Sequence, residues 1–164
     1  SGVAIYTHPS VGLTALTTEQ THAIFAGEIV NWAEVGGPDQ IIILCVRDEG
    51  DSSTQSLREV VFGDTPFPET ALVQTSQSDM QAVVAATPGG VGFGAWPAAL
   101  AEKVNVTGLA LDGVAPGSLA NPMAAPVGIG YLQDRQAEVQ PLIDWLLSES
   151  GRAALEELDV ITGR

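Results

Sequence analysis

A single cysteine, Cys45, stands in the 164-residue chain. An internal disulfide is excluded, and so is a zinc cluster built on thiolates. Positive charge is scarce too: six Lys and Arg face twenty Asp and Glu, a formal net charge of −14. Such a surface repels phosphate backbones and anionic headgroups, which excludes nucleic acid and anionic membranes as partners. The two histidines, His8 and His22, have no Cys/His ligand spacing, so no metal site is expected. Long hydrophobic runs are missing. The apolar stretches are short and broken by Gly or Pro, and none spans a bilayer. There is no Gly-x-Ser-x-Gly motif and no serine with an evident histidine partner, so the chain reads as a binding protein, not an enzyme. Asp48-Glu49-Gly50-Asp51 lacks the alternating ligands and terminal Glu of an EF-hand loop and reads as a solvated acidic loop. The glycine-rich run Gly89–Gly94 leads into a strand, not a helix, which argues against dinucleotide binding and leaves no cofactor expected.

What is present is enough for a core. Apolar residues make up 45 % of the chain and charged ones 16 %, so it is not a disordered acidic tail. The length fits one domain, residues 1–164. The opening SGVAIYTHPS has neither the basic region nor the apolar region of a signal peptide. Its first residues already read as a strand, as expected if the start cuts through a longer protein.

Strand-like and helix-like runs alternate, the pattern of an α/β fold. Val3–Thr7 reads as a buried strand. Thr17 caps a helix, with Gln20 as its capping-box partner and Gly27 as its stop. Asn31–Asp39 reads as a loop, and Ile41–Val46 as a central strand covered on both faces. A helix follows with Leu57, Val60 and Val61 on its inner side and Gly63 at its end. Further strands are expected at Ala71–Gln74, Val91–Ala95, Val104–Leu111 (closed by an Asp112-Gly113 turn) and Ala124–Tyr131. Ser78 should cap a helix bearing Met80, Val83 and Val84. Two helices end the chain. One runs near Gln136–Leu147, with Leu142, Trp145 and Leu146 inward and Pro141 at its start or at a kink. The other runs from a cap at Ser150 to Leu158.

The chemistry concentrates in Arg47-Asp48-Glu49-Gly50-Asp51-Ser52-Ser53-Thr54. A buried strand ends there, a tight loop follows, and a helix begins. In open α/β sheets ligands sit beyond the carboxyl ends of strands. A helix starting there offers free N–H groups and the positive end of its dipole. Ser52, Ser53 and Thr54 add hydroxyls, and Arg47 adds a permanently charged fork. Together they suit a tetrahedral oxyanion. Ser and Thr at a helix start are also ordinary caps, and Arg beside Asp is also an ordinary pair. Two roles are open for the acidic neighbours. They hold the guanidinium in orientation, or Asp51 accepts a hydrogen bond from a protonated ligand oxygen, which favours hydrogen phosphate over sulfate.

These residues also carry a family resemblance. Leu16-Thr17-Thr18-Glu19-Gln20, running on to Ile24-Phe25-Ala26-Gly27-Glu28-Ile29-Val30-Asn31-Trp32, resembles a segment of the periplasmic phosphate-binding proteins of ABC transporters. Gly36-Gly37-Pro38-Asp39-Gln40-Ile41 continues it. Arg47 with Ser52-Ser53-Thr54 resembles the family's Arg…Ser-Gly-Thr anion loop. Thr87-Pro88-Gly89-Gly90-Val91-Gly92-Phe93 resembles its glycine turn, and Leu142–Leu158 its closing helices. The resemblance implies a type 2 periplasmic-binding-protein lobe with a mostly parallel central sheet and flanking helices. It corresponds to the second lobe plus the closing helices, without the segment that builds the other lobe. It implies an extracytoplasmic solute-binding component of an ABC-type uptake system, docking to a permease. The ligand would be phosphate, with tungstate or molybdate conceivable, held by Arg47, Asp51, Ser52, Ser53 and Thr54, and a second lobe or self-association would complete the clamp. Two positions depart from the family loop. Its glycine is Ser53 here, and Asp51 stands as an extra residue before Ser52. With the absent first segment, they favour a second reading: an interaction or sensor domain of the same fold that has lost anion binding.

Overall fold

Six buried residues in a row, Gly2–Thr7, form the first strand, β1. A strand buried on both faces needs a neighbour along each edge and cover above and below. The computed structural model, which describes residues 2–96, 103–118, 120–123 and 130–157, supplies them. The elements that follow are β2 (Ala15–Leu16), α1 (Thr18–Phe25), β3 (Ile43–Arg47), α2 (Ser52–Leu57), β4 (Leu72–Gln74), α3 (Gln77–Ala86), β5 (Gly90–Trp96), β6 (Thr107–Leu111), α4 (Gln136–Leu147) and α5 (Glu149–Glu157). The six strands form one sheet in the order β2-β6-β1-β5-β3-β4. The β2–β6, β3–β5 and β3–β4 pairings are parallel. Among the described strands only β1 runs against the rest, antiparallel to both β5 and β6. The expected mostly parallel sheet is therefore present, with one reversed strand near its middle.

Local chemistry sets several of these elements. Thr17 and Gln20 form the expected capping box of α1, with Gln20 N–H donating to Thr17 Oγ1 at 3.1 Å and Thr17 N–H donating to Gln20 Oε1 at 2.9 Å. Asp112 and Gly113 turn with φ of 49° and 80°. The Asp112 carboxylate accepts from both the amide and the hydroxyl of Thr18, which holds it below the usual carboxylate range and ties this turn to the start of α1. All four phenylalanines, Phe25, Phe62, Phe67 and Phe93, gather in one cluster, with Phe62 and Phe67 stacked at 4.9 Å. On β5, Met80 and Val84 of α3 come to where a side chain at Gly92 would stand. The glycine run is thus a landing surface for a helix.

Some expectations are corrected. Asn31–Asp39 is not wholly irregular: Trp32–Val35 make a 3-10 turn capped by Asn31. β3 begins at Ile43, and Ile41 is 67 % exposed, because Ile41 instead bridges to Asn31. The helix after Thr54 passes into a π-helical turn, Arg58–Phe62, with Val60 only half-buried. The cap of α3 is Ser76, not Ser78, since Ser76 Oγ accepts from Asp79 N–H at 3.0 Å. β6 begins at Thr107, not Val104. α4 matches its expected span, with Pro141 inside it. Its inward side does not hold: Leu142 and Trp145 are exposed and Leu146 is half-buried. Among the described residues α4 packs against α5, whose start carries Ser148, not Ser150, as the oxygen that accepts from Gly151 N–H. Most of the strand expected at Ala124–Tyr131 lies outside the described residues, as does Leu158.

Candidate functional site

The parallel strands β3 and β4 lie side by side, and Arg47 pairs in register with Gln74. Each strand is followed by a helix, so α2 and α3 both begin beyond the same end of the sheet. That end gathers helix N–H groups with positive partial charge. Arg47 closes β3 and sends its guanidinium there. Its side chain is only 10 % exposed. It is therefore a buried cation, which needs a partner.

The partner is Asp51. Arg47 Nη2 lies 2.9 Å from Asp51 Oδ2. The other carboxylate oxygen, Oδ1, accepts from the backbone N–H of Ser53 at 2.9 Å and of Thr54 at 3.3 Å. Asp51 is thus the N-cap of α2 as well as the counter-ion of Arg47. Ser52, expected among the cradle hydroxyls, is exposed on the first turn. Ser53 and Thr54 are buried. Among the described residues, Arg47 Nε and Thr54 Oγ1 are buried and have no hydrogen-bond partner. The structure therefore brings Arg47, Asp51, Ser53 and Thr54 together and leaves Ser52 outside. The Asp51 carboxylate has the geometry of the first role open for the acidic neighbours, since it holds the guanidinium in place.

Two residues that the sequence reading did not single out stand nearby. The fully buried Tyr6 hydroxyl donates to Phe93 O at 3.2 Å and accepts from Gln77 Nε2 at 3.4 Å. Burial raises its pKa far above the ordinary phenol value; Gln77 counters this, and Arg47 and Asp51 act on it in opposite senses. It stays a neutral hydrogen-bonding group. Tyr6 could have been found from the pattern, because a tyrosine inside a six-residue buried strand must find a polar partner. Gln77 had no such signal, since it lies beside the residue wrongly expected to cap α3.

The second arginine of this region has a different task. Arg58 holds Glu49 through Nε at 2.7 Å and Nη2 at 2.6 Å. This hydrogen bonding keeps the Glu49 carboxyl below its usual range. Arg58 Nη1 donates to Gly63 O at 2.7 Å and Thr65 O at 2.8 Å, and its guanidinium lies over Phe67 and Phe62. It closes the loop after the π-helical turn. Because Glu49 is exposed, the ion pair adds little. The carbonyl bonds and ring contacts add more. Arg58→Ala should destabilise by about 2 kcal/mol and lower Tm by about 6 °C. Thermal denaturation reads this, and any anion response should be unchanged.

Beside the pair runs an open groove of about 380 Å³, lined by Val46, Arg47, Phe67 and Val73 among others and rimmed by Asp48, Glu49 and Glu69. An acidic rim is a poor route for an anion.

Residues 1–149 match a family model described as a PBP superfamily domain. The phosphate-binding protein PstS of Bacillus subtilis is 30 % identical over 115 residues, 70 % of this chain and 37 % of that protein. PstS of Borreliella burgdorferi is 29 % identical over 94 residues, 53 % of this chain and 34 % of that protein. The chain thus spans little more than a third of the curated relatives it matches. An ABC-type phosphate transport receptor from Vibrio cholerae superposes with a TM-score of 0.74 at 26 % identity, over 99 % of this chain and 69 % of that one. A candidate phosphate ABC transporter substrate-binding protein from Clostridium perfringens, solved with bound phosphate, superposes with a TM-score of 0.82 at 24 % identity, again over 99 % and 69 %. That last likeness speaks for the fold.

Proposed function

The chain belongs to the PBP superfamily domain family, and from that membership we propose that it is the oxyanion-binding lobe of an extracytoplasmic solute-binding protein in an ABC-type uptake system. Phosphate is the favoured ligand, because phosphate binding is what the named relatives share. Residues 1–164 form one such lobe. A second lobe closes over the anion, and a membrane permease receives it. The role is binding and release, without covalent chemistry.

One observation carries this reading. An arginine side chain that is nine-tenths buried meets the N-cap carboxylate of a helix beyond the sheet, and among the described residues Arg47 Nε and Thr54 Oγ1 have no partner. Buried donors are rarely left unbonded, and those that are call for an explanation. An oxyanion supplies several acceptors at one point. A single lobe leaves much of the anion hydrated, so millimolar affinity is expected for this chain alone.

Calorimetry with phosphate, sulfate, molybdate and tungstate tests the proposal, with NMR of the Arg47 Nε–H resonance as the sensitive readout for weak binding. Phosphate should shift that resonance in a saturable way. Arg47→Ala should weaken binding roughly a hundredfold, the effect of losing a charge-assisted pair. Equal losses for Arg47→Ala and Arg58→Ala would reduce the binding to diffuse attraction.

A second reading is favoured by Asp51. Its carboxylate already bridges the guanidinium and the helix amides. In that reading the lobe serves interaction or sensing without an anion, and none of the four anions would produce heat or a shift.

A further inference from the structure

We propose that Asp51 is a resident stand-in for the ligand, a carboxylate that occupies the cradle and sets how strongly an oxyanion must bind to enter. This rests on the oxyanion reading of the same site. Three of the site's donors converge on one side chain: Arg47 Nη2 at 2.9 Å on Oδ2, and the amides of Ser53 and Thr54 at 2.9 and 3.3 Å on Oδ1. A guanidinium N–H together with helix-start amides is the donor set that suits a tetrahedral anion. Here an aspartate fills it with two anionic oxygens. The polar atoms it leaves unused, Arg47 Nε and Thr54 Oγ1, are buried and belong to residues it already touches. The pair is also neutral overall, so an incoming anion meets no net positive charge from it.

An oxyanion reaching Arg47 must displace this carboxylate or lie against it. Displacement gives up the cap of α2 and the ion pair together. Close approach sets like charges side by side. Either way the carboxylate opposes binding, while the unpaired Nε and threonine hydroxyl favour it. Asp51 thereby acts as a specificity-determining residue: it admits an anion that can use those two remaining groups as well as the contested ones.

The test compares the 164-residue chain with Asp51→Ser and Asp51→Asn, titrating inorganic phosphate and following calorimetric heat and the Arg47 Nε–H resonance. Serine and asparagine both keep an N-cap oxygen, so α2 should persist. Thermal denaturation checks that the variants fold. Both variants should bind phosphate at least tenfold more tightly than the parent. Adding Arg47→Ala to Asp51→Ser should abolish the gain. If the parent binds phosphate and the variants bind equally or less well, Asp51 assists the ligand and this inference falls, while the oxyanion reading stands. If neither parent nor variants show saturable binding, the oxyanion reading falls and takes the inference with it.

Discussion

Trp32→Ala should destabilise the chain by about 4 kcal/mol and lower Tm by about 12 °C. Trp32 is fully buried and is the largest of the fully buried side chains. Its indole N–H donates to Gly89 O at 2.9 Å, a link between residues 57 positions apart. Its backbone N–H donates to Gln40 O at 2.9 Å, while Asn31 and Glu34 cap the short turn it begins. Truncation leaves an indole-sized cavity and frees the segment that leads into β3. Trp32→Phe should cost far less, about 1 kcal/mol, because Gly89 O also accepts from Ile43 N–H at 3.1 Å and is not orphaned. Thermal or urea denaturation decides it. A change in Tm of only a few degrees for the alanine variant would show that the 31–41 segment folds without its anchor.

The second large effect is at the other end of that hydrogen bond. Gly89→Ala should destabilise by about 3 kcal/mol. Gly89 has φ of 80°, and an added Cβ would stand 2.4 Å from Ile41 O, a backbone atom that cannot rotate away. The change therefore combines left-handed strain with a collision at the junction of β3 and β5. Because Gly89 O serves both Trp32 and Ile43, the two substitutions share one site. The double variant Trp32→Ala/Gly89→Ala should lose less than the sum, by about 1 kcal/mol. Full additivity would mean that the indole and this turn are energetically independent.

Much of the architecture was readable because it is local. The capping box of α1, the stop at Gly27, the Asp112-Gly113 turn and the span of α4 each depend on residues within a few positions of one another. β2 was invisible, since two residues become a strand only through pairing with β6 far along the chain. The reversed direction of β1 was equally hidden, because an all-buried strand reads the same either way. Leu142 and Trp145 show the limit of periodicity: it predicts an apolar stripe but not what lies against it. The site divides along the same line. Arg47 with Ser53 and Thr54 followed from a strand running into a helix. Which of Asp51, Ser52 and Ser53 would cap that helix depended on the loop's path, and the aspartate holds the position because the same carboxylate also meets the guanidinium.

Cys45 sits in the middle of β3, wholly inaccessible, and burial raises its thiol pKa to about 11. Alkylating reagents attack the thiolate, so the native fold shields this sulfur twice, by access and by protonation. With no second thiol in the chain to confuse the signal, each labelled molecule records one excursion to an open state. The sheet interior thus carries its own clock for unfolding, one that needs no added dye.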